Sequence, residues 1–232
     1  MNRAPELKKM LFKALLTLGR SKYFEGDSYK KEVEFSIDSV NSKKLSNYKD
    51  YFGLQENIPL SYFYLLSQDV QTSQMVEKSF PLPIPGMIHL KSTLKYLSNC
   101  DLNVPITIIS KVEIINRESG SLLPEFTETF IQGDKEIVEI KSKYLLRRKS
   151  KNKVKKIRKS KLIEETGVNW LASTWKLKNN LGLKYAAISG DYNPIHISTI
   201  FAWSEASISC NLASLLAIRV SISATRSCSL IC

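Results

Sequence analysis

The stretch SGDYNPIHIS, residues 189–198, places Asp191, Asn193, Pro194 and His196 within six residues, just ahead of an apolar segment. It carries one of only 2 histidines in a chain of 232 residues. A carboxylate and a neutral imidazole that converge on one point can share a water molecule. One group orients the water or takes its proton, and the other delivers a proton onward. Asparagine is a good N-cap and proline suits the first helical position, so Asn193–Pro194 predicts a helix start that continues through IHISTIFAW. His196 then falls in the first turn, where the helix dipole disfavours the imidazolium. Asp191 lies in the loop before it, and Gly190 lets the backbone turn sharply there. An aspartate and a histidine at this spacing are commonplace, however. Spacing alone favours a capped helix that begins with a surface histidine.

Elements capable of holding such a site are legible upstream. VPITIISKVEII (104–115) is rich in β-branched residues, and EFTETFIQ (125–132) and IVEIKSKYLLRR (137–148) follow it. Turn chemistry at Ser119–Gly120 and at Gly133–Asp134 makes these three strands an antiparallel meander. The alternation in EIVEIKSKYL predicts one packed face and one wet face. PLSYFYLLSQDVQTSQMVEKSF (59–80) predicts the covering helix, with Tyr62, Phe63, Leu65 and Leu66 ahead of a more polar half. PLPIPGMIHLKSTLKYL then breaks at Pro81, Pro83, Pro85 and Gly86 before another extended stretch. A helix laid on a curved antiparallel sheet is an α+β layer architecture. His89, between Ile88 and Leu90 in that stretch, reads as a structural histidine. Trp170, Trp175 and Trp203 read as packing residues.

The composition, 43% hydrophobic and 24% charged, is that of a soluble globular protein. The net charge is +12, but RRKSKNKVKKIRKSK (147–161) alone holds ten Lys and Arg and no acid. Removing it leaves about +2, a nearly neutral body joined by a basic linker. Nucleic-acid binding through that run ranks last among the functions considered, because the charge is confined to one segment without interleaved aromatics. The four cysteines, Cys100, Cys210, Cys228 and Cys232, form no CxxC pair, which points to a reduced, cytoplasmic protein. Lys8, Lys9 and Lys13 interrupt the apolar residues of the amphipathic start, so a secretory leader is not expected. No uncharged apolar run reaches the ~18 residues a membrane-spanning helix needs. No membrane association is expected.

The ordered string KYAAISGDYNPIHIS closely resembles the active-site signature of the MaoC-like hydratases and dehydratases, the (R)-specific enoyl-CoA hydratase family. The matching residues are Tyr185, Ala186, Ser189, Gly190, Asp191, Asn193, Pro194, Ile195 and His196. PLSYFYLL, FPLPIPGMIHL and the meander to Arg148 are similar to the non-catalytic first hot dog of the two-hot-dog members. The resemblance implies an α+β hot-dog fold: a complete N-terminal hot dog (1–146), the basic linker (147–161) and the start of a catalytic, incomplete second hot dog (162–203). It implies Asp191 and His196 as the catalytic pair that adds water to a trans-2-enoyl thioester or removes it from an (R)-3-hydroxyacyl thioester. Asn193 would aim the loop as a cap, with Ser189 and Gly190 supporting it. A backbone N–H at a helix N-terminus would meet the charge developing on the thioester oxygen. The implied partner is an acyl-CoA or acyl carrier protein thioester, with no cofactor and no metal. A homodimer is compatible with the resemblance.

The likeness stops near Trp203. The tail SEASISCNLASLLAIRVSISATRSCSLIC (204–232) has no lysine, glycine or histidine, no acid after Glu205, and three of the four cysteines. The family's His-Gly segment and its later strands are not visible. Either the tail is an alternative helix and strand closing a shortened second domain, or the reading frame is lost near residues 200–205. An unpaired sheet edge and exposed helix face would follow from missing strands, which favours frame loss. The expected function is therefore an impaired acyl-thioester hydratase/dehydratase. The alternative is a non-catalytic acyl-CoA-binding hot-dog protein.

Overall fold

A computed structural model describes residues 2–3, 7–21, 28–116, 121–146, 181–190 and 227–231. The chain runs through β1 (Asn2–Arg3), α1 (Leu7–Leu16), β2 (Ser28–Ile37), α2 (Ser42–Phe52), α3 (Leu60–Val76), β3 (Met87–Tyr96), β4 (Ile106–Asn116), β5 (Leu122–Gln132) and β6 (Lys135–Leu146). Then come α4 (Leu181–Ser189) and β7 (Ser227–Ile231). One sheet holds all the described strands in the order β1-β2-β4-β5-β6-β3-β7. Its five long strands are antiparallel, with short β1 parallel to β2 at one edge and β7 antiparallel to β3 at the other.

The expected split into a packed and a wet face is borne out. Ile106, Ile108, Val112 and Ile114 of β4, Phe126 and Phe130 of β5, and Val138 and Ile140 of β6 are buried at every second position. They pack with Tyr62, Phe63, Leu65 and Val70 of α3 and with Met75, Phe80 and Leu82. Phe63 meets Phe130 edge-to-face at 5.3 Å between ring centroids. The intervening residues carry charges that pair directly across strands. Lys30 reaches Glu113 at 2.8 Å, Lys111 reaches Glu32 at 2.9 Å and Lys143 reaches Glu125 at 2.8 Å. Cross-strand pairs of this kind each add a few tenths of a kcal/mol, up to about 1 kcal/mol, and reinforce the register. A helix laid across an antiparallel sheet in this order is the α+β, hot-dog-like architecture.

Boundaries moved where tertiary packing outweighed local signals. The turn at Gly133–Asp134 is present: Gln132 faces Lys135, and Gly133 takes φ +57°, which suits a residue without a Cβ. β5 starts at Leu122 rather than 125, because Leu122 and Leu123 are buried and extend the pairing with β4. Pro124 sits inside β5, and there the pairing with β6 breaks off after Glu125 and resumes at Leu122, since proline has no N–H to give. α3 ends at Val76, four residues short of the expected limit, where Arg20 takes up its terminal carbonyls. The guanidinium donates to the oxygens of Met75 (2.5 Å), Val76 (2.9 Å), Glu77 (2.8 Å) and Leu82 (3.3 Å). β2 and α2 went unread in the sequence. α2 is capped by Asn41, whose Oδ1 accepts the Lys44 N–H at 2.9 Å. The turn expected at Ser119–Gly120, the basic run, the tryptophans and most of the tail lie outside the described residues.

Candidate functional site

The motif of residues 189–198 enters the described structure through its first two residues and the helix that leads into them. α4 rests on α2: the Tyr185 ring lies 6.4 Å from that of Phe52, and Ile188 packs against the main core cluster. Ala186 is fully buried and Ser189 nearly so. The Ser189 hydroxyl donates to the Tyr185 carbonyl at 2.9 Å, turning back onto its own helix. Gly190 closes α4: its N–H donates to the Ala186 carbonyl at 2.8 Å and its φ is +84°. That left-handed residue directly after a helix is the position where glycine is favoured. The chain therefore leaves a fixed helix end one residue before Asp191. Among the described residues, a Cβ placed on Gly190 would meet only the Lys44 ammonium, on the first turn of α2, at 4.0 Å. Asp191, Asn193 and His196 themselves lie outside the described residues.

A second polar assembly, unread in the sequence, lies between α3 and the sheet. Glu128 is fully buried on β5, directly opposite Ser110 of β4. Its Oε2 accepts hydrogen bonds from Ser67 Oγ and Gln71 Nε2, both at 2.9 Å, and its Oε1 accepts one from Ser110 Oγ at 3.1 Å. Gln71 Oε1 accepts the Tyr144 hydroxyl at 2.6 Å, and Gln74 Nε2 donates to the Ser110 carbonyl at 2.9 Å. Burial pushes the Glu128 carboxyl up to about 7, against the opposing effect of its three hydrogen bonds. The missed signal was phase. Ser67, Gln71 and Gln74 recur at helical spacing on one face of α3, and Glu128 stands in step with buried Phe126 and Phe130.

His89 keeps the structural role read from its position. Its ring stacks on Tyr64 at 6.0 Å and tilts against Tyr144 at 4.9 Å, with Nε2 2.9 Å from Ser92 Oγ. Ser92 and Ser142, paired across β3 and β6, are 2.7 Å apart at their hydroxyls. Burial lowers the imidazole to about 4, so it is neutral at physiological pH. Among the described residues no cluster of three or more His, Cys, Asp or Glu is arranged to hold a metal. No described helix is long and apolar enough to cross a membrane.

No protein-family model matches the chain, and no curated protein matches it in sequence. Solved structures do match in fold. A crystal structure of HtdX from Mycobacterium tuberculosis superimposes with a TM-score of 0.57 at 18% identity, over 75% of this chain and 67% of that one. A second crystal structure of HtdX gives 0.52 at 17% identity, over 73% and 68%. A MaoC-like dehydratase from Phytophthora capsici gives 0.48 at 19% identity, over 79% and 68%. The chain shares with HtdX the fold of an antiparallel sheet wrapped on a central helix.

Proposed function

We propose that this chain carries the chemistry of an acyl-thioester hydratase/dehydratase, with Asp191 and His196 acting on one water molecule. In the hydration direction the pair takes a proton from water as the oxygen bonds to C3 of a trans-2-enoyl thioester. The proton returns at C2 and the product is an (R)-3-hydroxyacyl thioester. Dehydration is the same path reversed. Electron density moves onto the thioester oxygen during addition, and a backbone N–H at a helix N-terminus stabilises it. Asn193 caps that helix and aims the loop. Ser189 and Gly190 act one step earlier, by fixing where α4 ends. The partner is an acyl-CoA or acyl carrier protein thioester, and neither metal nor cofactor enters the reaction.

The observation that carries this reading is the ordered motif SGDYNPIHIS, whose first two residues, Ser189 and Gly190, close a helix that packs on a hot-dog-like layer. The fold shared with HtdX supports it. Residues 1–146 form the non-catalytic hot dog in this reading, 147–161 the linker and 162–203 the start of the catalytic one. Residues 204–232 stand out of frame, and the reaction is impaired in the chain as written. The test has two arms. The coding DNA after residue 200 is read for another frame that encodes a His-Gly segment and further strands. A chain repaired in that frame is then compared with the present one for hydration of a trans-2-butenoyl thioester. Turnover in the repaired chain alone is the expected result. No alternative continuation, or no turnover once it is restored, refutes the reading.

The closed layer of α3 on five long strands favours a second reading, a binding module that holds acyl-CoA without turning it over. Acyl-CoA protection against thermal unfolding that survives deletion of residues 162–232 distinguishes it.

A further inference from the structure

The layer beneath α3 holds a proton balance that only one charge state of Glu128 completes. Ser110 Oγ has one proton and two acceptors in reach, Glu128 Oε1 at 3.1 Å and Gln74 Oε1 at 3.3 Å. When Glu128 is ionised the Ser110 proton is drawn to the carboxylate, and Gln74 Oε1 loses that donor. When Glu128 carries a proton on Oε1 the chain closes. Glu128 donates to Ser110, Ser110 donates to Gln74, and Gln74 returns a donor to the Ser110 carbonyl at 2.9 Å. Oε2 keeps both of its donors, Ser67 and Gln71, in either state. A buried polar network is stabilising when every member is satisfied and costly when one is not.

No cation neutralises this carboxyl among the described residues. Besides the strand charges of the wet face, titratable groups on the elements around it include Tyr62, Tyr64 and Asp69 of α3, His89 of β3 and Tyr144 of β6. The nearby charges of the strands lie on the wet face and are paired there, Lys111 with Glu32, Lys141 with Glu139 and Lys143 with Glu125.

We propose that Glu128 is a protonation latch: with its proton it closes the hydrogen-bond chain joining α3 to the sheet, and on losing it that chain opens and α3 loosens from β4 and β5. The folded chain holds the Glu128 proton more tightly than the unfolded chain does, since burial raises the carboxyl from 4.5 to about 7. The latch is thus fully closed below the ordinary carboxylate range, and its contribution is lost as pH rises through about 7. His89 titrates with the opposite sign, being held down to about 4. The two slopes offset each other in the unmodified chain, so the diagnostic quantity is a difference between variants.

The experiment compares full-length wild type with Glu128→Gln in urea unfolding from pH 4.5 to 8.5. The glutamine oxygen takes the place of Oε2, and its amide takes the place of the protonated oxygen, donating to Ser110. The two chains should match near pH 4.5. By pH 8 the wild-type unfolding constant should exceed that of Glu128→Gln by a factor approaching roughly 300. Hydrogen exchange, corrected for intrinsic rate, should show α3 amides less protected in wild type than in Glu128→Gln at pH 8, and equally protected at pH 5. A stability difference independent of pH, or a less stable Glu128→Gln at pH 8, overturns the proposal. So does equal α3 protection at pH 8. Where the variant fails to fold, carbon-13 NMR of wild-type glutamate carboxyls decides. One resonance titrating near 7 supports the latch, and all of them titrating in the ordinary range refutes it.

Discussion

Replacing Gly190 tests whether the backbone at the end of α4 is what delivers the chain to Asp191. Its φ of +84° is one that L-residues adopt at a cost, yet among the described residues a Cβ built there meets nothing closer than the flexible Lys44 ammonium at 4.0 Å. The penalty is therefore conformational, not steric. A left-handed alanine costs about 1–2 kcal/mol relative to glycine, asparagine less because it tolerates this region, and β-branched valine more. The expected order of loss is Gly190→Asn, then Gly190→Ala, then Gly190→Val. At about 1.4 kcal/mol per decade, alanine should lower the hydrogen-exchange protection of the α4 amides roughly 5- to 30-fold. Exchange read by mass spectrometry over residues 181–190, with β4 and β5 as unaffected controls, measures it. In the frame-repaired chain the same series should lower kcat in the same order, because the residue altered immediately precedes Asp191. Losses that follow side-chain size, with asparagine worse than alanine, refute the conformational account. So does an alanine variant with unchanged protection.

Arg20→Ala should destabilise the fold by about 2–4 kcal/mol. It removes charge-assisted hydrogen bonds to the carbonyls at the end of α3, a helix with no basic residue in its own last turn. Arg20→Lys should recover part of that loss, and urea midpoints at unchanged slope measure both. For His89→Phe, the wild type should lose up to about 3 kcal/mol relative to the variant as pH falls from 6.5 towards 4. The folded chain holds that imidazole down to about 4, so its contribution is present above the unfolded value and disappears on acidification. A wild-type advantage that does not change over this range contradicts the burial argument.

Much of the N-terminal layer was readable because its strands alternate and its hairpin at Gly133–Asp134 is local. The readings failed where a local signal competed with packing. Leu122 and Leu123 follow a Gly-Ser turn signal, yet their burial extends β5 back past Pro124. Ser67, Gln71 and Gln74 made half of α3 read as more polar, although Ser67 and Gln71 bond a carboxyl sealed beneath the helix and Gln74 bonds its neighbour Ser110. Composition cannot distinguish a polar face in water from one satisfied by a buried acid; only the phase of Glu128 with Phe126 and Phe130 could have done so. α2 was passed over because its outer residues are mostly polar, and its inner side is marked by no more than Leu45, Tyr48 and the partly buried Phe52. The candidate site was read from the order of its residues rather than from their spacing. The described structure adds its entry, the buried Ser189 and the left-handed Gly190.

The central claim is that Asp191 and His196 act together on one water, and a double-mutant comparison in the frame-repaired chain tests it most directly. Hydration of a trans-2-butenoyl thioester is followed for Asp191→Asn, His196→Gln and the double variant. Groups sharing one proton transfer are non-additive, so each single change should lower kcat by about 100-fold or more and the double variant should be little slower than the slower single. Full turnover in either single variant, or losses that multiply in the double, would contradict the account.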